Sequence, residues 1–154
     1  LAAKEILDTA KIKSFCKTSG SSGLHIYIPL GNKYSYDEAR DFTKLLCYYI
    51  HERLPKLTSM ERAVKNRKNK IYLDYLQNRR GQTLAAPYCV RPKPGAPVSA
   101  PLAWKDVKPG LKILDFTIRN MPQRISKHGD LFAGILKNEI NMEKAIDNLG
   151  TLNS

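Results

Sequence analysis

The sequence predicts an α+β fold, and three observations carry that prediction. Leu24-His-Ile-Tyr-Ile28 and Ile71-Tyr-Leu-Asp-Tyr-Leu76 alternate with the period of a β-strand. Ser35-Tyr-Asp-Glu38 is a capping box, with acidic residues in the first turn of the helix it opens. The chain has 154 residues with 42% hydrophobic content, enough for a single domain, 1–154, with its own core.

Leu1, Ala3, Ile6, Leu7 and Ala10 recur at helical spacing, so the chain opens inside a helix. That start reads as a fragment, a processed product or an unobserved beginning. Ser14–Lys17 is a short strand. Lys17-Thr-Ser-Gly-Ser-Ser-Gly23 then runs directly into the strand Leu24–Ile28, which Pro29 stops. Glycine accepts positive φ at little cost, so Ser19–Gly23 folds as a tight turn. Leu24, Ile26 and Ile28 share one face of the strand, and His25 and Tyr27 share the other. A turn of exposed backbone beside hydroxyls, a lysine and a histidine is a candidate phosphate cradle. The alternative is an ordinary hairpin turn with a partly buried His25.

The helix after Ser35 carries Ala39, Phe42, Leu45, Leu46, Tyr49 and Ile50 on one side and ends at Pro55; it reads as a packing helix, with His51 on the surface. Thr58-Ser-Met-Glu61 is a second capping box, predicting a short helix. It leads into Arg62, Lys65, Arg67, Lys68 and Lys70, either a solvated face or a set of phosphate contacts. Asp74 stands inside the apolar strand Ile71–Leu76. A carboxylate there needs a cation, a metal or several donors, unless the strand lies at an edge with its second face wet.

Asn78–Gln82 is a turn. Thr83–Ala86 and Tyr88–Val90 read as strands broken at Pro87, and Arg91–Pro101, with four prolines, reads as an extended connection. Trp104 anchors Leu102–Trp104 to the body. Asp115 caps a short turn. Met121–His128 is a helix ended by Gly129, and Asp130–Leu136 and Ile140–Leu149 are helical, with Gly150 as the final stop.

The net charge of +12 favours anionic partners, nucleic acid first and a membrane surface second. No apolar run has the length of a transmembrane helix and none has the layout of a signal peptide, so a cytoplasmic protein is expected. Cys16, Cys47 and Cys89 have neither zinc nor CxxC spacing, which fits reduced thiols.

Taken together, Ser19-Gly-Ser-Ser-Gly-Leu-His25-Ile-Tyr27 and Ile71-Tyr-Leu-Asp74-Tyr-Leu-Gln77-Asn78 resemble two motifs of the archaeo-eukaryotic primase superfamily. More narrowly, they resemble the polymerase domain of bacterial DNA ligase D. Ala86-Pro-Tyr88-Cys-Val-Arg91, Gly95–Pro101, Trp104 and Arg124–Asp130 continue the likeness in order. The resemblance implies mixed and antiparallel sheets with flanking helices, here the C-terminal portion of that domain. It implies addition of ribo- or deoxyribonucleotides to DNA ends and gaps with Mn2+ or Mg2+, and Ku and a fused ligase domain as partners of a nucleoid-associated protein. By motif position Ser19 and His25 would hold the incoming triphosphate. Asp74 would be the catalytic, metal-binding carboxylate, and Arg67, Gln77 and Arg91 would lie near the nucleotide.

Two departures matter. Ser22 stands where the family often has a lysine, and Lys17 is the candidate substitute. The family's Asp-x-Asp motif is absent, and Asp8 is the only aspartate before Ser19. Metal-assisted phosphoryl transfer needs several carboxylates. The alternatives to a nucleotidyltransferase are therefore a non-catalytic nucleic-acid-binding module and an inactive fragment of the polymerase domain.

Overall fold

The structure, a computed structural model, describes residues 1–151. Its helices are α1 (Ala2–Thr9), α2 (Tyr36–Arg53), α3 (Met121–His128) and α4 (Met142–Gly150). Its strands are β1 (Phe15–Thr18), β2 (Leu24–Tyr27), β3 (Thr58–Ser59), β4 (Ile71–Tyr72) and β5 (Pro101–Leu102). This is the α+β class expected. The chain divides into two compact units, each built from separated stretches. One comprises Leu1, Lys13–Pro29 and Leu84–Ile140; the other comprises Ala2–Ile12, Leu30–Thr83 and the stretch from Asn141.

The first unit holds an antiparallel sheet in the order β2-β1-β5. Lys17 of β1 pairs with His25 of β2, and Cys16 pairs with both Ile26 and Leu102. Cys16, Val98, Ala100, Leu102, Val107, Phe116 and Met121 form the core. Trp104 packs against it and donates from Nε1 to the Ser14 carbonyl at 3.1 Å, the anchor the sequence predicts.

One expectation fails in this unit, and another is refined. The proline-rich connection has little regular structure, as expected, and its second half, Pro97–Leu102, is buried. Its backbone is bonded on both sides: Val98 donates to Phe116, Ser99 to Cys89, and Ala100 accepts from Thr18. Prolines remove only their own donors, so the residues between them still bond. Thr83–Ala86 and Tyr88–Val90 are not strands; only Val90 makes a bridge, to Val98.

The sides of β2 are also reversed from what its composition suggests. Leu24 and Ile26 are 42% and 40% exposed, whereas His25 and Tyr27 are half-buried. Tyr27 packs edge-on against Phe132, which also meets Phe15, so the aromatic face turns inward.

In the second unit, α2 has the predicted capping box: the Ser35 hydroxyl accepts from the Glu38 backbone, and Glu38 accepts from the Ser35 backbone. Phe42, Leu46 and Cys47 are its buried residues. His51 is not idle on the surface: its Nδ1 lies 2.9 Å from the Thr58 hydroxyl. The second capping box does not open a helix. Thr58 commits both its hydroxyl and its backbone N–H to the Leu54 carbonyl, and Thr58–Ser59 pairs in parallel with Ile71–Tyr72. Only a 3-10 turn, Val64–Asn66, follows.

The strand predicted to reach Leu76 stops at Tyr72, and Asp74 lies exposed beyond it. Asp115 ends a 3-10 turn instead of capping one, accepting from the Lys112 N–H. Asp130–Leu136 is turn with a 3-10 end at Ile135–Lys137, whereas α3 forms as predicted; α4 starts at Met142 instead of Ile140, capped by Asn141, and runs through Gly150 instead of stopping before it.

Candidate nucleotide site

The Ser/Gly stretch folds as a hydroxyl-centred turn. Ser19 N–H donates to the Gly23 carbonyl at 2.8 Å, closing the loop. The Ser19 hydroxyl accepts from the N–H groups of Ser21 and Gly23, at 3.0 and 3.1 Å. Gly20 adopts φ +65°, the left-handed region that disfavours a side chain. It has a second reason to be glycine: a Cβ there would lie 2.5 Å from Arg91 Cγ and 3.0 Å from the Ser99 nitrogen. The Arg91 stem thus rests on the turn, and Ser22 is exposed at its tip.

The pairing of β1 with β2 sets Lys17 beside His25. Lys17 is 0% exposed. Its Nζ donates to Ser99 Oγ at 2.6 Å and to the Ala85 carbonyl at 2.8 Å, and lies 3.1 Å from His25 Nδ1. The Tyr27 ring is 5.6 Å from the ammonium. Burial first, then the Arg91 guanidinium, push the Lys17 pKa down from 10.5 to about 8, against an upward pull from Cys89. Lys17 therefore spends its donors on the protein, unlike a cation turned toward solvent phosphate.

Of the residues singled out in the sequence, Lys17, Ser19, Ser22, His25 and Arg91 belong to this first unit. Arg67, Asp74 and Gln77 belong to the second. There, Arg67 stacks on Tyr72 with its Cζ 3.8 Å from the ring centroid. The guanidinium also donates to the carbonyls of Glu61 and Arg62, at 2.9 and 2.6 Å, fixing the start of the basic loop. Asp74 Oδ1 accepts from Leu76 N–H at 3.0 Å, and its Oδ2 meets Gln77 Nε2 at 3.5 Å. Gln77 Oε1 is buried without a partner.

The carboxylate of Asp74 keeps lone pairs for a cation, since neutral donors occupy only part of its capacity. Among the described residues, however, no three His, Cys, Asp or Glu side chains are grouped to hold a metal ion. These residues supply one carboxylate and do not fit a complete divalent-metal site.

Ser99 and Tyr72 escaped the sequence reading. Ser99 was hidden because prolines flank it; its signal is the run of small and apolar residues Ala96-Pro-Val-Ser-Ala-Pro101, which suits a tightly packed interior. Tyr72 reads from the sequence only as a strand residue, although an aromatic five positions from an arginine is within its stacking reach.

The α+β scaffold is of the class found in polymerase domains. The fold aligns with the polymerase domain from Mycobacterium tuberculosis Ligase D in complex with DNA, at a TM-score of 0.80 and 28% identity. That alignment covers 90% of this chain and 48% of the other. The family model for the LigD primase-polymerase domain matches residues 1–132, and the chain belongs to that family. It is 40% identical over 136 residues to the bifunctional non-homologous end joining protein LigD of Bacillus subtilis. It is 33% identical over 122 residues to the multifunctional protein of that name in Pseudomonas aeruginosa. These alignments cover 88% and 79% of this chain, but 22% and 14% of the two relatives, so the chain spans a small part of their length.

Proposed function

We propose that this chain is the nucleotide-binding portion of a nucleotidyltransferase domain that extends DNA ends during end joining. The observation that carries this reading is the Ser19–Gly23 turn with His25 on the following strand and the Arg91 stem laid across Gly20. Such a turn offers a hydroxyl, backbone dipoles and a guanidinium to a triphosphate. Ser19, Ser22, His25 and Arg91 hold the phosphates in this reading, Arg67 and Gln77 lie near the nucleotide, and Asp74 contributes a metal-binding carboxylate. The cofactor of the whole domain is Mn2+ or Mg2+, its substrates are an NTP or dNTP and a DNA end or gap, and Ku and a fused ligase domain are partners of the whole protein. No helix among the described residues is long and apolar enough to cross a membrane, which fits work on DNA in the cytoplasm.

Calorimetric titration of ATP into the chain tests the reading. Binding in Mn2+ that EDTA abolishes is the expected result. No binding in either condition would remove the nucleotide-site reading from this chain.

A second reading, a nucleic-acid-binding module without catalysis, is favoured by the net charge of +12, and no three metal-ligating side chains are grouped among the described residues. Asp74→Ala separates the two. It abolishes Mn2+-dependent ATP binding in the first reading, whereas in the second DNA affinity holds or rises as a negative charge is lost.

A further inference from the structure

Tyr88 stands where glycine would be less strained. The Cys89 N–H donates to the Ala86 carbonyl at 3.1 Å, which closes a β-turn around Pro87 and Tyr88. Tyr88 has φ +65°. Proline at the first central position cannot take a positive φ, so a positive φ at the second makes this a type II turn. That position favours glycine, because a Cβ crowds left-handed backbone. Tyr88 is the one aromatic with a positive φ among the described residues. What glycine lacks is the side chain. The phenol hydroxyl donates to Asp130 Oδ1 at 2.7 Å, and the same oxygen accepts from the Phe132 N–H at 2.9 Å. The ring packs against the core around Cys16 and Val98. Burial first, then the Asp130 bond, push the Tyr88 pKa up to about 12, and the Tyr88 hydroxyl holds the Asp130 carboxyl below its usual range.

The chain leaving this turn is bonded to the buried proline-rich stretch. Tyr88 N–H donates to the Ser99 carbonyl, Ser99 N–H to the Cys89 carbonyl and Arg91 N–H to the Pro97 carbonyl, each at 2.8 Å. Both sides of that ladder meet Gly20, where a Cβ would lie 2.5 Å from Arg91 Cγ, 3.0 Å from the Ser99 nitrogen and 3.2 Å from the Val98 carbonyl carbon. Arg91 thus sits at the far end of a bonded segment that begins at Tyr88. We infer that the Tyr88–Asp130 pair is a positioning device: it holds a strained turn closed and so sets the Cys89–Arg91 segment, with the Arg91 stem on Gly20, to meet an anionic ligand. The identity of that ligand, a nucleoside triphosphate, rests on the nucleotide-site reading; the coupling from Asp130 to Arg91 does not. Tyr88 and Asp130 act through Arg91, which is the group that meets phosphate.

Two readouts test the coupling: ATP affinity in Mn2+, and the Nε–H NMR signal of Arg91 in the ATP-free chain, assigned by its loss in Arg91→Lys. Tyr88→Phe keeps the ring and removes the hydroxyl; Asp130→Ala removes the acceptor. Each is expected to shift the Arg91 signal and to weaken ATP binding about fivefold, the scale of one hydrogen bond. The double variant should lose no more than either single one, because both break the same bond. Asp130→Asn, which keeps an oxygen acceptor, should retain most of the affinity. Tyr88→Gly relieves the left-handed backbone but removes the anchor, and it should bind ATP at least as weakly as Tyr88→Phe. In an Arg91→Ala background Tyr88→Phe should lower affinity no further; a further fivefold loss there would mean that Tyr88 only supports the fold. An Arg91 signal unmoved by Tyr88→Phe, additive losses in the double variant, or undiminished ATP binding by Tyr88→Gly overturns the inference. Should Asp130→Ala fail to fold, Tyr88→Phe and Asp130→Asn still decide. If the unmodified chain binds no ATP but Tyr88→Phe shifts the Arg91 signal, the positioning role stands and the nucleotide reading falls.

Discussion

Burying an ammonium is costly even when all its protons are bonded, and Lys17 makes that cost measurable. Its neighbours on every side are known: Ser99 and Ala85 as acceptors, His25 across the strand pair, Tyr27 beneath, and Arg91 and Cys89 as the charges that shift it. The folded pKa is about 8 against an ordinary 10.5. A lysine depressed on folding binds fewer protons in the native state than in the unfolded one across that window, so its contribution to stability rises with pH there. Below about 8 the full cost of the buried charge is present; above 10.5 it is gone. Urea unfolding of the unmodified chain and of Lys17→Met, compared from pH 7.5 to 10.5, checks this. The difference between them should move in favour of the unmodified chain as pH rises. A constant difference would mean that Lys17 keeps an ordinary pKa and that its burial is only partial in solution.

Elements in this protein are held by short local devices, and two of them can be tested by single changes. The turn between β1 and β2 depends on Gly20. Alanine there meets left-handed backbone, at about 1–2 kcal/mol, and must also displace the Arg91 stem and the backbone of Ser99. Gly20→Ala should therefore destabilise by more than about 2 kcal/mol and weaken ATP binding through Arg91; an unchanged urea midpoint would show that the turn is looser than described. The start of α2 depends on Ser35, whose hydroxyl accepts the Glu38 N–H at 3.2 Å. Ser35→Ala should lower stability by about 1 kcal/mol, while Ser35→Asp, which restores an acceptor, should recover most of it. Equal loss in both variants would count against the cap.

These devices also explain which elements could be read from sequence. The α2 box was legible because donor and acceptor lie three residues apart, and no distant group competes for them. The same spelling at Thr58–Glu61 misled, because the Thr58 hydroxyl and N–H are both taken by Leu54 and the backbone of Thr58–Ser59 by β4. Alternation correctly grouped Leu24–Tyr27 by face, although the strand ends before Ile28, which is half-buried. It did not say which face is inward; Phe132, remote in sequence, decides that by taking up Tyr27. The site was legible to a similar depth. Ser19, His25 and Arg91 could be named from their motifs, whereas Ser99 enters only through pairings more than eighty residues apart.

At the scale of the whole molecule the dominant quantity is charge: 26 Lys and Arg against 14 Asp and Glu, a net +12. A chain so charged binds a polyanion largely by releasing condensed counterions, so its affinity for duplex DNA should fall steeply with salt and depend little on sequence. Where the contacts lie is a narrower question. In the basic loop, Arg67 and Lys70 are committed to holding the loop itself, Arg67 on Tyr72 and two carbonyls, Lys70 on the Pro55 carbonyl at 2.7 Å. Arg62, Lys65 and Lys68 lie exposed, and they are the residues able to meet phosphates there. Each phosphate contact contributes about −0.9 to the slope of log affinity against log salt. Replacing Lys65 and Lys68 together by Gln should make that slope shallower by about 2, with the unfolding midpoint unchanged because both side chains are exposed. Fluorescence anisotropy of a labelled duplex between 50 and 200 mM salt, roughly the range over which such binding is lost, measures it. A slope unaltered by the double substitution would place the DNA contacts on other cations and return this loop to the role of a solvated surface.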